Sequence, residues 1–193
     1  MNLIDRSAMS IAKAIRNNYA DAASEKVLFY SLSLLINTSL AIAATLIICT
    51  FTGRLPEAVI TIFSFLFLRY LSGGAHLSSS LGCCIFSLTI LTSLAHIDYA
   101  YFHTGLILNI LSFIIFLIKA PEGLENISRI DPKNYLYLKI ICLIFIGGNF
   151  YFQSSLLSAV FFAQSVTLTK PGYFLFKLME RRWYNETENG KSS

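Results

Sequence analysis

Charge is what this chain lacks. Only 13% of its 193 residues are Asp, Glu, Lys or Arg, where a soluble domain carries about 25%. So few charges cannot cover a water-facing surface. That excludes an ordinary cytosolic enzyme, a disordered chain and a nucleic-acid binder with a basic face. Cysteine is sparse as well. Cys49, Cys83, Cys84 and Cys142 form no C-x-x-C pair and lie in or at the ends of apolar segments, which argues against a disulfide framework. The Asp-rich, Glu-Glu and His-x-x-x-His patterns of other intramembrane enzymes are missing, and no repeat or low-complexity stretch stands out. A cleavable signal peptide is not expected. The first 26 residues mix Arg6, Lys13, Arg16 and Lys26 with Asp5, Asp21 and Glu25, and the apolar run that follows is too long for a signal core.

What the chain has instead is apolar length. Fifty-five per cent of residues are hydrophobic, and mean hydropathy is +0.61. Uncharged runs cover 27–53, 70–97, 99–118 and 140–169, with a shorter one at 58–68. A spanning helix needs about 20 mostly apolar residues, so these runs predict an all-α, polytopic membrane protein. The expected spans are 27–51, 55–70, 80–97, 100–118, 136–152 and 155–169, the last two divided by Gly147, Gly148 and Asn149 and by Gln153, Ser154 and Ser155. Thirty continuous helical residues would measure about 45 Å against a hydrocarbon thickness of about 30 Å. A hairpin or a pair of short half-spans is therefore expected at 140–169.

Six crossings put both termini on one side. Fourteen Lys and Arg then gather on that side and Arg54 alone on the other, which makes the first side cytoplasmic. The chain divides into an N-terminal segment (1–26), a transmembrane region (27–169) and a basic tail (170–193) in which Trp183 and Tyr184 beside Arg181 and Arg182 would hug the inner interface. Ile4, Ile11, Ile15, Tyr19 and Ala22 share one helical face. The N-terminal segment is thus either a helix along the membrane surface or a solvated helical tail. Pro121, Gly123 and Pro132 mark 119–134 as a true loop.

Chemistry concentrates between the second and third spans. Residues 69–84 hold Arg69, the pair Gly73 and Gly74, His76, Ser78, Ser79, Ser80, Gly82, Cys83 and Cys84. A glycine pair lets the backbone turn tightly or approach a ligand. His76 and Cys83 are the residue types of a thiol hydrolase, a base and a nucleophile that acts as thiolate. Their spacing makes a demand. Residues i and i+7 of one helix sit about 10 Å apart along the axis, and a hydrogen bond needs about 3 Å. One unbroken helix through 76–83 cannot close the pair. Either the loop bearing His76 folds back over a late start of the third span, or the pair closes between two protomers. On residue types alone, a structural role for such a His and Cys is the commoner outcome.

The pattern R-x-x-x-G-G-x-H-x-x-x-x-x-x-C made by Arg69, Gly73, Gly74, His76 and Cys83, behind a short apolar segment, resembles the AgrB (accessory gene regulator B) family. These are polytopic membrane cysteine endopeptidases that convert AgrD-type propeptides into cyclic quorum-sensing signals. The span pattern and Pro121 in a charged loop match as well, so the resemblance covers nearly the whole chain. It implies that His76 is the general base and Cys83 the nucleophile, with Arg69, Gly73 and Gly74 in support. It implies a homodimer in membrane lipid, no cofactor and no metal, and an AgrD-like propeptide whose acidic tail meets a basic rim containing Arg69, Lys119, Arg129, Lys133 and Lys139. Backbone N–H groups near Gly82 would serve the oxyanion. With no acid near His76 in sequence, a dyad is expected. Cys84 departs from the pattern, and so do the dispersed cations of the 119–139 loop.

Other polar residues have plainer readings. His96, Asp98 and His103 match no strong metal motif and read as a solvated turn. The Asn185–Thr187 sequon falls in a cytoplasmic tail. Cys49 and Cys142 read as small buried apolar residues, and Asn37, Asn109 and Gln153 as interhelical hydrogen-bonders. The rival function is a non-catalytic transporter or sensor subunit. Such proteins place ionisable groups mid-membrane, which this chain scarcely does.

Overall fold

The computed structural model describes residues 3–19, 21–75, 77, 79–123 and 131–189, with side chains to Met179. The described residues are mostly helical, with no strand among them. The helices are α1 (Leu3–Asn18), α2 (Glu25–Phe51), α3 (Leu55–Ser72), α4 (Ser80–Ala95), α5 (Leu106–Lys119), α6 (Tyr135–Phe152), α7 (Ser155–Thr167) and α8 (Lys170–Asn189). A π-turn at Tyr101–Gly105 leads into α5, and a 3₁₀ turn at Pro132–Asn134 leads into α6.

Local chemistry sets the ends. Pro in the first turn and Glu57 beside it begin α3, whose Arg54 N-cap pairs with Glu57 at 3.3 Å. The α4 N-cap is Ser79, whose hydroxyl accepts from the Gly82 N–H at 3.3 Å. Gln153 closes α6 in the left-handed region, and the Ser154 hydroxyl then caps α7 by accepting from the Leu157 N–H. The 140–169 run is therefore a helical hairpin.

Four helices are long and apolar enough to cross a membrane: Glu25–Phe51, Leu55–Ser72, Tyr101–Lys119 and Pro132–Phe152. Large apolar side chains such as Leu35, Ile47, Ile114, Leu117 and Ile144 face outward from the bundle, the surface that lipid tails require. The chain is a membrane protein. The runs expected at 80–97 and 155–169 form shorter apolar helices of 16 and 13 residues, about 24 and 20 Å at 1.5 Å per residue.

The physical reason is clearest at α7. Ser158, Ala159, Val160, Phe161, Gln164, Ser165 and Thr167 are all buried, because α7 packs against α3, α4, α5 and α6. A helix enclosed by protein has no hydrophobic thickness to match and tolerates polar groups. Its small residues let neighbouring backbones come close. The core around it draws Phe65 and Leu68 from α3, Leu91 from α4, Phe116 from α5 and Ile146 from α6. Cys49 and Cys142 are fully buried.

At the end where α6 turns into α7, Asn149 carries the packing. Its Nδ2 donates to Asn109 Oδ1 at 3.1 Å, to the Ser158 hydroxyl and to the Ser154 carbonyl, while its Oδ1 accepts from the Ser154 N–H. Asn109 is thus an interhelical hydrogen-bonder as expected. Gln153 is instead an exposed helix cap. At the same end His96 accepts from the Thr52 hydroxyl through Nε2 and donates to the Thr92 carbonyl through Nδ1, tying α4 to the α2–α3 turn.

The N-terminal segment is a helix that packs on α2. Ile4, Ala8 and Ala12 are the buried residues of α1, packed on α2, whereas Ile11 and Tyr19 are exposed. A stripe of alanines fits closer to a neighbouring helix than an isoleucine stripe does, and that contact sets the buried side.

Candidate active site at the head of α4

The site begins with the turn after α3. Ser72 is the last residue of α3, and Gly73 (φ 72°) and Gly74 (φ 116°) carry the chain out of it. Both angles favour glycine. At Gly74 space forbids a side chain too. A Cβ there would lie 2.6 Å from Thr167 Oγ1 and 2.9 Å from Arg69 Nη1.

The turn is held from three directions. Glu122 pairs with it backbone to backbone, its N–H donating to the Ser72 carbonyl at 2.9 Å and its carbonyl accepting from Gly74 at 3.1 Å. From α7, Gln164 Nε2 donates to the Gly73 carbonyl at 3.0 Å and the Ser72 hydroxyl at 3.2 Å, and the Thr167 carbonyl accepts from Ala75 N–H at 3.0 Å. From α3 itself, Arg69 donates to Thr167 Oγ1 at 3.2 Å and to the Ala75 carbonyl. Arg69 is therefore a clamp, one planar cation bonding both the turn and the helix that the turn lies on.

Cys83 lies in the first turn of α4, its N–H donating to the Ser79 carbonyl at 2.9 Å. Because α4 begins at Ser80 and residues 73–75, 77 and 79 are non-helical, no single helix runs through 76–83. A late start of α4 is what a His76 loop folded back over the helix would need, and it equally permits a pair closed between protomers. His76 lies outside the described residues. Its neighbours do not: Ala75 and Leu77 both line a cavity of about 80 Å³ together with Arg69, Cys83 and Thr167, enclosed by Phe86 and Phe176. The rings of Phe86 and Phe176 meet edge to face at 4.7 Å, which docks α8 on α4.

A second cavity of about 100 Å³ lies between α2 and the head of α4, lined by Phe29, Tyr30, Ser33, Asn37, Leu77 and Cys83 among others. Cys83 thus borders both spaces. Cys84, one residue and about 100° further round the helix, lines neither.

Arg69, Gly73, Gly74 and Cys83 are brought together as the motif required. Lys133 is exposed in the 3₁₀ turn and Lys139 is half-buried in α6, and neither lines these cavities. Arg129 lies outside the described residues. Four contributors escaped the sequence reading: Gln164, Thr167, Glu122 and the cavity-facing pair Ser33 and Asn37. Gln164 and Thr167, three apart and so on one helical face, were the available signal in an apolar run. Glu122 brings a carboxylate-bearing residue to the glycine turn from a distant loop. Outside the spans, burial pushes the Tyr173 phenol up, the Glu122 carboxylate pushes it the same way, and Arg69 opposes both. Tyr173 therefore remains a neutral donor beside the turn.

Comparison with known proteins settles the kinship. The model of the family described as accessory gene regulator B, AgrB, matches residues 6–174. The chain belongs to the AgrB family. A protein of Halalkalibacterium halodurans described as AgrB-like is 25% identical over 99 residues, covering 51% of this chain and 50% of that relative. The match thus spans about half the length of the curated relative. No solved structure matches. AgrB membership ties the chain to the accessory gene regulator quorum-sensing system.

Proposed function

We propose that this AgrB-family protein is a membrane cysteine endopeptidase that removes the C-terminal tail of an AgrD-like propeptide and cyclises what remains. The observation that carries the reading is Cys83 at the head of α4, bordering a cavity whose other wall is the Arg69-clamped turn leading to His76. A short α4 supports it, because a nucleophile in a first helical turn can meet a peptide backbone at a membrane margin.

The reaction balances without a cofactor. His76 takes the Cys83 thiol proton. The sulfur bonds the scissile carbonyl carbon, and the C=O electron pair moves to oxygen, where the positive end of the α4 dipole stabilises the charge; the Gly82 and Cys83 N–H groups expected for this role are held by Ser79. Collapse breaks the C–N bond, and the leaving amine takes the proton from His76. A thioester on Cys83 remains. A Cys or Ser of the peptide then attacks it, its proton passing through His76 to the departing Cys83 sulfur. The product is a thiolactone or lactone. The second step exchanges one thioester for another, or for an ester, at little cost, whereas the first turns an amide into a thioester and is uphill, so removal of the released tail and the cyclic product draws the reaction forward.

The acting form is a homodimer in membrane lipid, with the N-terminus, the tail and the active site on the cytoplasmic face. The 14-to-1 distribution of Lys and Arg supports that orientation. Lys133 and Lys139 belong to a basic rim that meets the acidic tail of the propeptide. The test is tail release from a synthetic AgrD-type propeptide by the purified protein in nanodiscs. Wild type should release it, Cys83→Ala and His76→Ala should not, and Cys84→Ala should retain most activity. Normal release by Cys83→Ala would end the proposal.

A further inference from the structure

The second cavity at Cys83 has an unexplained polar wall. On α2 the residues Ser33, Asn37, Ala41, Thr45 and Cys49 recur every fourth position and are buried. Thr45 satisfies itself by donating to the Ala41 carbonyl at 2.8 Å. Ser33 and Asn37 do not. Asn37 is 4% exposed and Ser33 7%, and neither Asn37 Oδ1 nor Ser33 Oγ has a hydrogen-bond partner among the described residues. Both line the cavity that Cys83 lines from the opposite helix.

An unpaired buried amide destabilises the fold that holds it, more so in a chain surrounded by lipid. Asn109 and Asn149 are engaged with each other and with neighbouring carbonyls, and Gln164, whose Oε1 is also unpartnered among the described residues, is anchored to the glycine turn through its Nε2. Among the described residues Asn37 makes none of the interhelical hydrogen bonds expected from its sequence position. Two open polar groups one helical turn apart, facing a thiol at the head of α4, have the spacing to follow an extended peptide.

We infer that Ser33 and Asn37 form the substrate main-chain subsite, the Asn37 amide bonding the backbone of the propeptide residue that acylates Cys83. Its Nδ2 donates to that residue's carbonyl oxygen, and its Oδ1 accepts from a flanking peptide N–H. The Ser33 hydroxyl holds the next peptide group toward the cytoplasmic end of α2. Because these bonds go to main chain, they fix register without selecting side chains. This rests on Cys83 being the nucleophile, as proposed above.

The experiment compares Asn37→Leu, Ser33→Ala and Cys83→Ala in nanodiscs, using a synthetic propeptide with an amphipathic N-terminal segment, a Cys-containing ring segment and an acidic tail. Leucine nearly matches asparagine in size and removes an unpaired polar group. Asn37→Leu should therefore accumulate normally and unfold at an equal or higher temperature. Its kcat for tail release should fall on the order of 10²-fold, as for loss of one donor to a developing oxyanion. Iodoacetamide should still alkylate Cys83 at the wild-type rate, because the thiol itself is untouched. Ser33→Ala, which deletes only a hydroxyl, should raise KM several-fold with kcat little changed. Wild-type kinetics in both α2 variants, with Cys83→Ala inactive, would overturn this inference alone. An active Cys83→Ala would overturn it together with the reading it rests on. Activity lost only in step with a lower unfolding temperature or with slower alkylation would overturn it in favour of a packing role.

Discussion

Replacing Gly74 with alanine tests whether the clamped turn sets activity. Two separate effects follow from the structure. Gly74 adopts φ 116°, where any other residue is strained, at a cost of about 1–3 kcal/mol. The added Cβ would also meet Thr167 Oγ1 at 2.6 Å and Arg69 Nη1 at 2.9 Å, inside the closest contacts that real Cβ atoms make. Neither neighbour is free to swing away. Thr167 donates to the Gln164 carbonyl at 2.7 Å, and Arg69 grips the Ala75 carbonyl. The turn must therefore move off α7, taking Ala75 and the residues after it along. A displacement on the order of 1 Å at a reacting centre costs about 10²-fold in rate. Gly74→Ala should accumulate in the membrane yet release propeptide tails about 10²-fold more slowly, mainly through kcat. Gly53→Ala is the control. It has a similarly positive φ of 72° but nothing within 4 Å of its Cβ, at the opposite end of α3. It should lose a little stability and no activity. A Gly74→Ala protein working within about threefold of wild type would refute the reasoning, since a turn that shifts without penalty is not positioning the base.

The remaining predictions address packing, assembly and charge. Asn149→Leu leaves Asn109 Oδ1 and the Ser154 N–H unpaired, so the unfolding free energy measured in detergent should drop by about 2 kcal/mol, with tail release nearly unchanged. Mixing His76→Ala with Cys83→Ala protomers should restore partial cleavage if the pair closes between chains, and no rescue would assign the site to one chain. Reversing charge at Lys133 and Lys139 together should weaken propeptide binding by about 30-fold at low salt, from about 1 kcal/mol per cation. The loss should fade as salt rises, and an unchanged KM at low salt would remove these lysines from the rim.

The sequence and the fold agree where the physics is one-dimensional. Length of an uncharged run governs whether a helix can cross lipid, so α2, α3, α5 and α6 were legible from charge gaps alone. Nothing in the composition of 155–169 says that α3, α5 and α6 pack around it, so its enclosure by protein shows only in the fold. Isoleucine spacing marks an apolar stripe on α1, and the fold adds that Ala8 and Ala12 join Ile4 in the contact with α2, because small residues permit closer approach. At the site, Arg69, Gly73, Gly74 and Cys83 were legible because one short segment carries them. Gln164, Thr167 and Glu122 meet that segment only through long-range hydrogen bonds, and Asn37 was read as an interhelical bonder because a sequence cannot show a partner that is missing.

The central claim is that Cys83 carries the acyl group. The direct measurement is mass spectrometry of the protein–propeptide complex trapped at low pH during turnover, with digestion to locate the adduct. The account predicts a hydroxylamine-sensitive thioester on the peptide containing Cys83, retained in Cys84→Ala and absent from Cys83→Ala. An adduct on Cys84, or tail release with no acyl-enzyme at all, would contradict it.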